Sequence, residues 1–141
     1  MTTSLMRRTA VFLTLAAVSA LLPATAWAAV SSAPTGLTAT AGNTQVVLTW
    51  VTPTSNGGET ITDYIIEYSS DAGVSYAQFM DGVGTGLTVT VTGLTNGTAY
   101  LFRVSAVVNV SGQGPASSTA AATPFVVHTA NDPATFSACP P

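Results

Sequence analysis

The stretch that most constrains the fold is residues 94–106, which combines turn residues with a strand pattern. Asn96 and Gly97 favour a turn, and from Tyr100 onward the large apolar side chains fall on alternate positions. Alternate residues of a strand point to the same face, so these side chains are expected to line one face of a sheet. Leu94 stands six residues before Tyr100. This spacing is typical of a sandwich corner, where a tyrosine hydroxyl bonds to upstream backbone.

The rest of the chain from residue 34 shows the same kind of pattern. Short alternating segments are separated by Gly, Asn and Pro, and no helical periodicity occurs beyond the first 28 residues. We count seven strands, with residues 109–114 as a loop before a last strand at 117–122. The pattern predicts an all-β fold: an immunoglobulin-like sandwich of two antiparallel sheets with seven strands.

Residues 1–28 have the features of a signal peptide. Arg7 and Arg8 precede an apolar run at residues 10–22, and Ala26-Trp27-Ala28 provides small residues for cleavage. The run is shorter than the ~20 residues that a membrane span requires. We predict cleavage after Ala28 and a secreted, extracellular chain without a membrane span. Residues 29–124 would form one domain and residues 125–141 a C-terminal tail or linker.

The composition excludes one class of partner. The chain is 47% apolar and 6% charged, and it contains no lysine. Beyond the predicted cleavage site, Arg103 is the one basic residue. Binding to nucleic acid depends on clustered Lys and Arg, so no nucleic-acid partner is expected.

Catalytic and metal sites also find little support. His128 is the one histidine and Cys139 the one cysteine, which is too few for a zinc site. No Gly-x-Ser-x-Gly motif occurs. Asp63 and Glu67 share the outward parity of one predicted strand and are read as a solvated strand face. We predict that the protein is not an enzyme and holds no metal or cofactor.

The segment from about residue 34 to 124 resembles a fibronectin type III domain, of the variety found in secreted bacterial proteins. The resemblance rests on a set of spaced residues: Pro34 with Leu37, Trp50 with Pro53, Ile61 with Tyr64, Ile66 and Tyr68, Leu94 with Tyr100, and Gly112 with Gly114, Pro115 and Ser117. It implies that Trp50 lies in the core against Tyr64 and Leu94, and that Tyr100 forms the corner. In bacteria such domains accompany extracellular enzymes or surface proteins as spacers or binding modules.

One predicted surface is a candidate for interaction. Ile65, Leu101 and Arg103 have outward parity in strands that are neighbours in this fold class. Larger exposed apolar patches often mark interaction sites, although single exposed apolar residues are common. Arg103 is expected to pair with Glu67 or Asp63 across the two strands, a small contribution at an exposed site.

The functional prediction is a secreted, non-catalytic module that binds an extracellular protein or polysaccharide or acts as a spacer. Two alternatives remain open. One is a self-associating structural subunit of a surface assembly, a homo-oligomer formed through poorly protected sheet edges. The other is an accessory domain of a polysaccharide-degrading system. Cys139 is a free thiol or forms an intermolecular disulfide, because the chain offers it no partner.

Overall fold

The computed structural model describes residues 31–127, and these residues form an all-β structure. Within this range no helix is long and apolar enough to cross a membrane. The strands are β1 (Thr35–Ala41), β2 (Gln45–Val51), β3 (Ile61–Ser69), β4 (Ala77–Phe79), β5 (Thr88–Thr92), β6 (Tyr100–Val108), β7 (Gly112–Ala116) and β8 (Ala120–Ala122). The predicted signal peptide, His128 and Cys139 lie outside the described residues.

The strands form two antiparallel sheets. One has three strands in the order β1-β2-β5. The other has five, in the order β4-β3-β6-β7, with β8 also paired to β6. This arrangement confirms the predicted immunoglobulin-like sandwich.

The core lies between the sheets and consists of the inward side chains of the strands together with Leu94, which follows β5. Its buried members are Val46, Leu48, Trp50, Tyr64, Ile66, Val91, Leu94, Tyr100, Phe102, Val104 and Ala106. The rings of Trp50 and Tyr64 meet edge to face with centroids 5.3 Å apart. Each fully buried large aliphatic or aromatic side chain stabilises the fold by about 1.5–3 kcal/mol. This shared interior holds the two sheets together.

The structure has eight strands where seven were predicted, because an additional strand forms in residues that were predicted mainly as a loop. Residues 112–116, mostly assigned to a loop, form β7, and a separate β8 follows. Ser117 lies between them, and its hydroxyl accepts a hydrogen bond from the Val104 amide at 3.1 Å. Pro115 has no N–H to donate, so β7 cannot continue a regular ladder. The buried Ser117 hydroxyl thus accepts the hydrogen bond of the Val104 amide in place of a backbone carbonyl.

Tyr100 ties the turn after β5 to the core. Its ring is buried, and its hydroxyl oxygen accepts a hydrogen bond from the Thr95 amide at 3.1 Å. Asn96 adds a second tie, because its side-chain oxygen accepts from the Thr44 amide at 2.9 Å. The turn between β5 and β6 is therefore fixed to the turn between β1 and β2. These turns mark one pole of the sandwich.

The chain enters and leaves the sandwich at opposite poles. At the first described residues, the Ser32 amide donates to the Ser55 carbonyl in the β2–β3 connection at 2.8 Å. At the last, the Phe125 amide donates to the Gly42 carbonyl at 3.1 Å, next to the Tyr100 corner. The nine residues of β6 separate the two ends. At about 3.3 Å per residue, they set the poles about 30 Å apart.

Candidate interaction surface

The outer face of the five-stranded sheet carries an ion pair between neighbouring strands. Glu67 on β3 lies opposite Arg103 on β6 in the antiparallel register. Arg103 donates two hydrogen bonds to this carboxylate, from Nε at 2.9 Å and from Nη2 at 3.1 Å. These bonds raise the pKa of the Arg103 guanidinium above its ordinary value. Of the two partners considered from the sequence, the structure selects Glu67.

Tyr76 covers this ion pair from the solvent side. The guanidinium carbon of Arg103 lies 3.7 Å from the centroid of the Tyr76 ring, within cation–π range. The tyrosine hydroxyl reaches back over Gly73, where an added Cβ would lie 3.2 Å from it and 3.5 Å from Leu101. Tyr76 therefore lies across both Leu101 and Arg103. The predicted surface is partly closed by a residue of the β3–β4 connection.

The β3–β4 connection is held in shape by Asp71. The hydroxyl of the buried Ser69 donates to Asp71 Oδ1 at 2.6 Å, and the Ser75 amide donates to the same atom at 3.0 Å. These hydrogen bonds, with that from the Ser75 hydroxyl, hold the pKa of Asp71 far below its usual range. Ala72 adopts a φ of 59°, a left-handed conformation that few alanines adopt. The carboxylate network stabilises this turn and so positions Tyr76.

Ile65 and Leu101 are half-buried rather than fully exposed. Beside Leu101, a shallow groove of about 490 Å³ runs along the Tyr100 corner and the β3–β4 turn. Its lining is mainly small or apolar: Ser70, Asp71, Ala72, Thr98, Ala99, Tyr100, Leu101 and Ala121. Of the three residues predicted for interaction, the groove is lined by Leu101 but not by Ile65 or Arg103.

Two further carboxylates, those of Asp63 and Glu59, accept hydrogen bonds from loop backbone. Asp63 Oδ1 accepts from the Gly84 amide at 3.0 Å. Glu59 accepts from the amides of Val110 and Ser111 and from the Ser111 hydroxyl, and these hydrogen bonds lower its pKa. Within residues 31–127, no three His, Cys, Asp or Glu side chains group to hold a metal ion. These carboxylates are therefore loop-stabilising groups.

Sequence reasoning missed Tyr76 and Asp71 as parts of this surface. Tyr76 lies over Arg103 at the end of a turn in which Ala72 has a positive φ. An alanine in the sequence does not predict a positive φ. The Ser69 and Asp71 pair two residues apart was the available signal, because such pairs form side chain-to-backbone turns. The residues that the family resemblance placed in the core, Trp50, Tyr64, Leu94 and Tyr100, are all buried.

Comparison with known proteins agrees with this architecture. The profile of the fibronectin type III domain matches residues 32–123. A crystal structure of titin domains A168–A170 is 29% identical, with a TM-score of 0.62; the match covers 69% of this chain and 33% of that one. Titin module A71 from human cardiac muscle is 27% identical, with a TM-score of 0.59; the match covers 65% of this chain and 89% of that one.

The share of the matched structure that this chain covers differs among these titin structures. The chain spans a third of the A168–A170 structure. It is also similar to a structure of titin kinase with its flanking domains, with 30% identity and a TM-score of 0.59. That match covers 67% of this chain and 17% of the titin kinase structure. The chain corresponds to single modules of these larger proteins. From the match over residues 32–123 and the sandwich that these residues form, the chain belongs to the fibronectin type III domain family.

Proposed function

We propose that this chain is a secreted fibronectin type III module of the bacterial type that acts as an extracellular spacer. The observation that carries the proposal is the position of the two ends of the described segment, residues 31–127. Backbone hydrogen bonds tie Ser32 to one pole and Phe125 to the other. A module fixed in this way holds its N-terminal residues and the segment that follows Phe125 about 30 Å apart, the length of β6.

Membership of the family supports the absence of catalysis, since fibronectin type III domains are in general non-catalytic modules. Four of the five acidic side chains in residues 31–127 bind local donors: Asp63, Glu67, Asp71 and Glu59. We include in the proposal that no substrate is turned over.

The second candidate, a binding role, has one specific observation in its favour. The mainly apolar groove is lined by Leu101, a residue of the predicted interaction surface. The more specific role of polysaccharide accessory domain has less support. Stacking on sugars needs exposed aromatic rings. The guanidinium of Arg103 covers one face of the Tyr76 ring, and Phe79 packs against the core. Phe125, which is 51% exposed, is the remaining aromatic candidate among the described residues.

Export is tested by expressing the full chain in a bacterium and determining the N-terminus of the product by mass spectrometry. We expect the protein outside the cytoplasm, beginning at Ala29. Retention in the cytoplasm with Met1 in place would contradict the extracellular role. Assays for release of reducing sugar from polysaccharides accompany this test, and any turnover that survives rigorous purification would refute the non-catalytic assignment. The spacer role itself requires the two poles to lie about the length of β6 apart.

A further inference from the structure

One sheet edge of this protein is open and regular. β5 is the terminal strand of the three-stranded sheet, and its other neighbour is β2. The Trp50 amide donates to the Leu87 carbonyl at 3.1 Å, which places these two residues in a hydrogen-bonded pair. Such pairs recur at every second residue of an antiparallel ladder. Val89 and Val91 therefore direct their backbone groups to β2.

The intervening residues direct theirs away from the sheet. Thr88, Thr90 and Thr92 have backbone N–H and C=O groups that point to the free side of β5. Their side chains are exposed on the outer face of the sheet. Within residues 31–127, no other strand pairs with this side of β5. It is a row of unpaired donors and acceptors.

The other sheet edges of the described chain are interrupted. β1 has a register shift between Thr35 and Thr38, where Gly36 has a φ of 62°. β4 and β8 are three residues long, and β7 contains Pro115. Short strands, bulges and prolines all protect an edge against pairing. β5 has none of these features, and residues 82–102 contain no charged side chain.

The sequence of β5 shows what fits this edge. Thr88-Val89-Thr90-Val91-Thr92 reads the same in both directions. When two copies lie antiparallel with Thr90 at the two-fold axis, Thr88 of each meets Thr92 of the other and valine meets valine. We propose that the β5 edge is a homodimer interface at which a second copy of this chain extends the three-stranded sheet to six strands.

The protein already contains the side-chain contact that this dimer would repeat. On the outer face of the same sheet, Thr38 on β1 and Thr49 on β2 lie opposite each other, with their hydroxyl oxygens 2.7 Å apart. The Thr90 side chains of the two copies would form an equivalent pair, a stabilising cross-strand combination. The two-fold axis also closes the assembly at two subunits, because each β5 edge is used once.

The charges near the edge favour the antiparallel arrangement. Asp81 lies on the loop that leads into the Thr88 end of β5 and lines a cleft with Thr88. In the antiparallel dimer this loop faces the uncharged turn at residues 93–97 of the other copy. A parallel arrangement would place the two Asp81 loops side by side, and like charges in proximity are unfavourable.

The contact area of a five-residue edge is small, so we expect a weak dimer that depends on concentration. The test is sedimentation velocity of the exported chain from about 10 µM to about 1 mM, a range in which weak interfaces are populated. Reductant is present throughout to exclude a disulfide through Cys139. The inference is independent of the spacer role, because export and the distance between the poles are measured separately.

Thr90→Lys is the diagnostic variant. It sets two positive charges against each other at the two-fold axis, while the exposed position and unchanged backbone leave the monomer intact. Thr40→Lys is the matched control, since Thr40 is exposed on the same sheet but lies on β1. We expect the mass to double with concentration for the unmodified chain and for Thr40→Lys, and to stay monomeric for Thr90→Lys. An equimolar mixture of Thr90→Lys and Thr90→Glu is expected to dimerise again.

Hydrogen exchange supplies a second, residue-specific measurement. In the dimer, the amides of Thr88, Thr90 and Thr92 gain protection as concentration rises, whereas those of Val89 and Val91 are protected throughout. A monomer over the whole range, or a dimer that Thr90→Lys leaves unchanged, would overturn the proposal. Equal loss of the dimer in Thr40→Lys would also overturn it.

Discussion

Arg103 and Glu67 form a two-point ion pair across neighbouring strands, with nitrogen–oxygen distances of 2.9 and 3.1 Å. The Arg103 side chain is 33% exposed, so solvent screens much of the attraction. A double-mutant cycle with Arg103→Gln and Glu67→Gln is expected to give a coupling free energy of about 0.5–1 kcal/mol. The measurement is denaturant unfolding of the four proteins, repeated at high salt, where the coupling falls.

A matched cycle pairs Arg103→Gln with Asp63→Asn. Asp63 lies on the same strand as Glu67, but its carboxylate binds the Gly84 amide instead. The expected coupling is near zero. Equal coupling in both cycles would show a general charge effect rather than a specific pair.

The Tyr100 hydroxyl is expected to contribute measurably to stability. Tyr100→Phe removes the acceptor of the Thr95 amide and leaves that amide unpaired, at a cost of about 1–2 kcal/mol in the free energy of unfolding. Tyr68→Phe is the control, because the Tyr68 ring packs against Tyr100 with centroids 6.1 Å apart while its hydroxyl binds no partner within residues 31–127. If both variants lose the same stability, the corner hydrogen bond has no special role.

Two buried serines, Ser105 on β6 and Ser117 between β7 and β8, are expected to respond in opposite directions to replacement by alanine. Ser105 Oγ is buried without a partner in the described part of the chain, so Ser105→Ala raises stability by up to about 1 kcal/mol. Ser117 Oγ accepts from the Val104 amide and donates to the Ser118 carbonyl, so Ser117→Ala lowers it by about 1–3 kcal/mol. Thermal unfolding of both variants measures the difference, and a change of the same sign in both would contradict this assignment.

Asp71 is expected to make stability depend on acidic pH. Its pKa in the folded protein lies far below the ordinary carboxyl value, because the hydroxyls of Ser69 and Ser75 donate to the charged form. A depressed pKa adds stability above the unfolded value of about 4, and this stability is lost as pH falls below it. Asp71→Asn is therefore expected to be less stable than the parent at pH 7, and the gap to narrow below about pH 4. A difference in stability between the parent and Asp71→Asn that does not change with pH would contradict a stabilising role of the Asp71 charge.

The inward faces could be predicted from the sequence because a strand has a period of two. Alternation placed Tyr64 and Ile66 on one face and Asp63 and Glu67 on the other, and the burial along β3 follows it. The fold class follows from such strands in succession. The pairing of Arg103 with Glu67 needed in addition the neighbour relation of β3 and β6.

The remaining features depend on contacts between segments that are distant in sequence. Ser117 is recognisable as a hydrogen-bond partner of Val104 once the segment between β7 and β8 is placed beside β6. Tyr76 reaches Arg103 through a turn at Ala72 whose backbone conformation alanine does not encode. Asn96 was read as a turn residue, but its amide also donates to Asn43 Oδ1 in another turn. Alternation within a strand carries none of this information.

The separation of the two poles is the central claim for a spacer, and a pair of spin labels measures it directly. Labels on cysteines at Ser32 and Val126, in a Cys139→Ser background, are expected to lie about 30 Å apart with a narrow distribution, as nine strand residues require. A control pair at Thr95 and Val126, both at the exit pole, is expected to be much closer. Equally short distances for the two pairs would place both chain ends at one pole and contradict the spacer account.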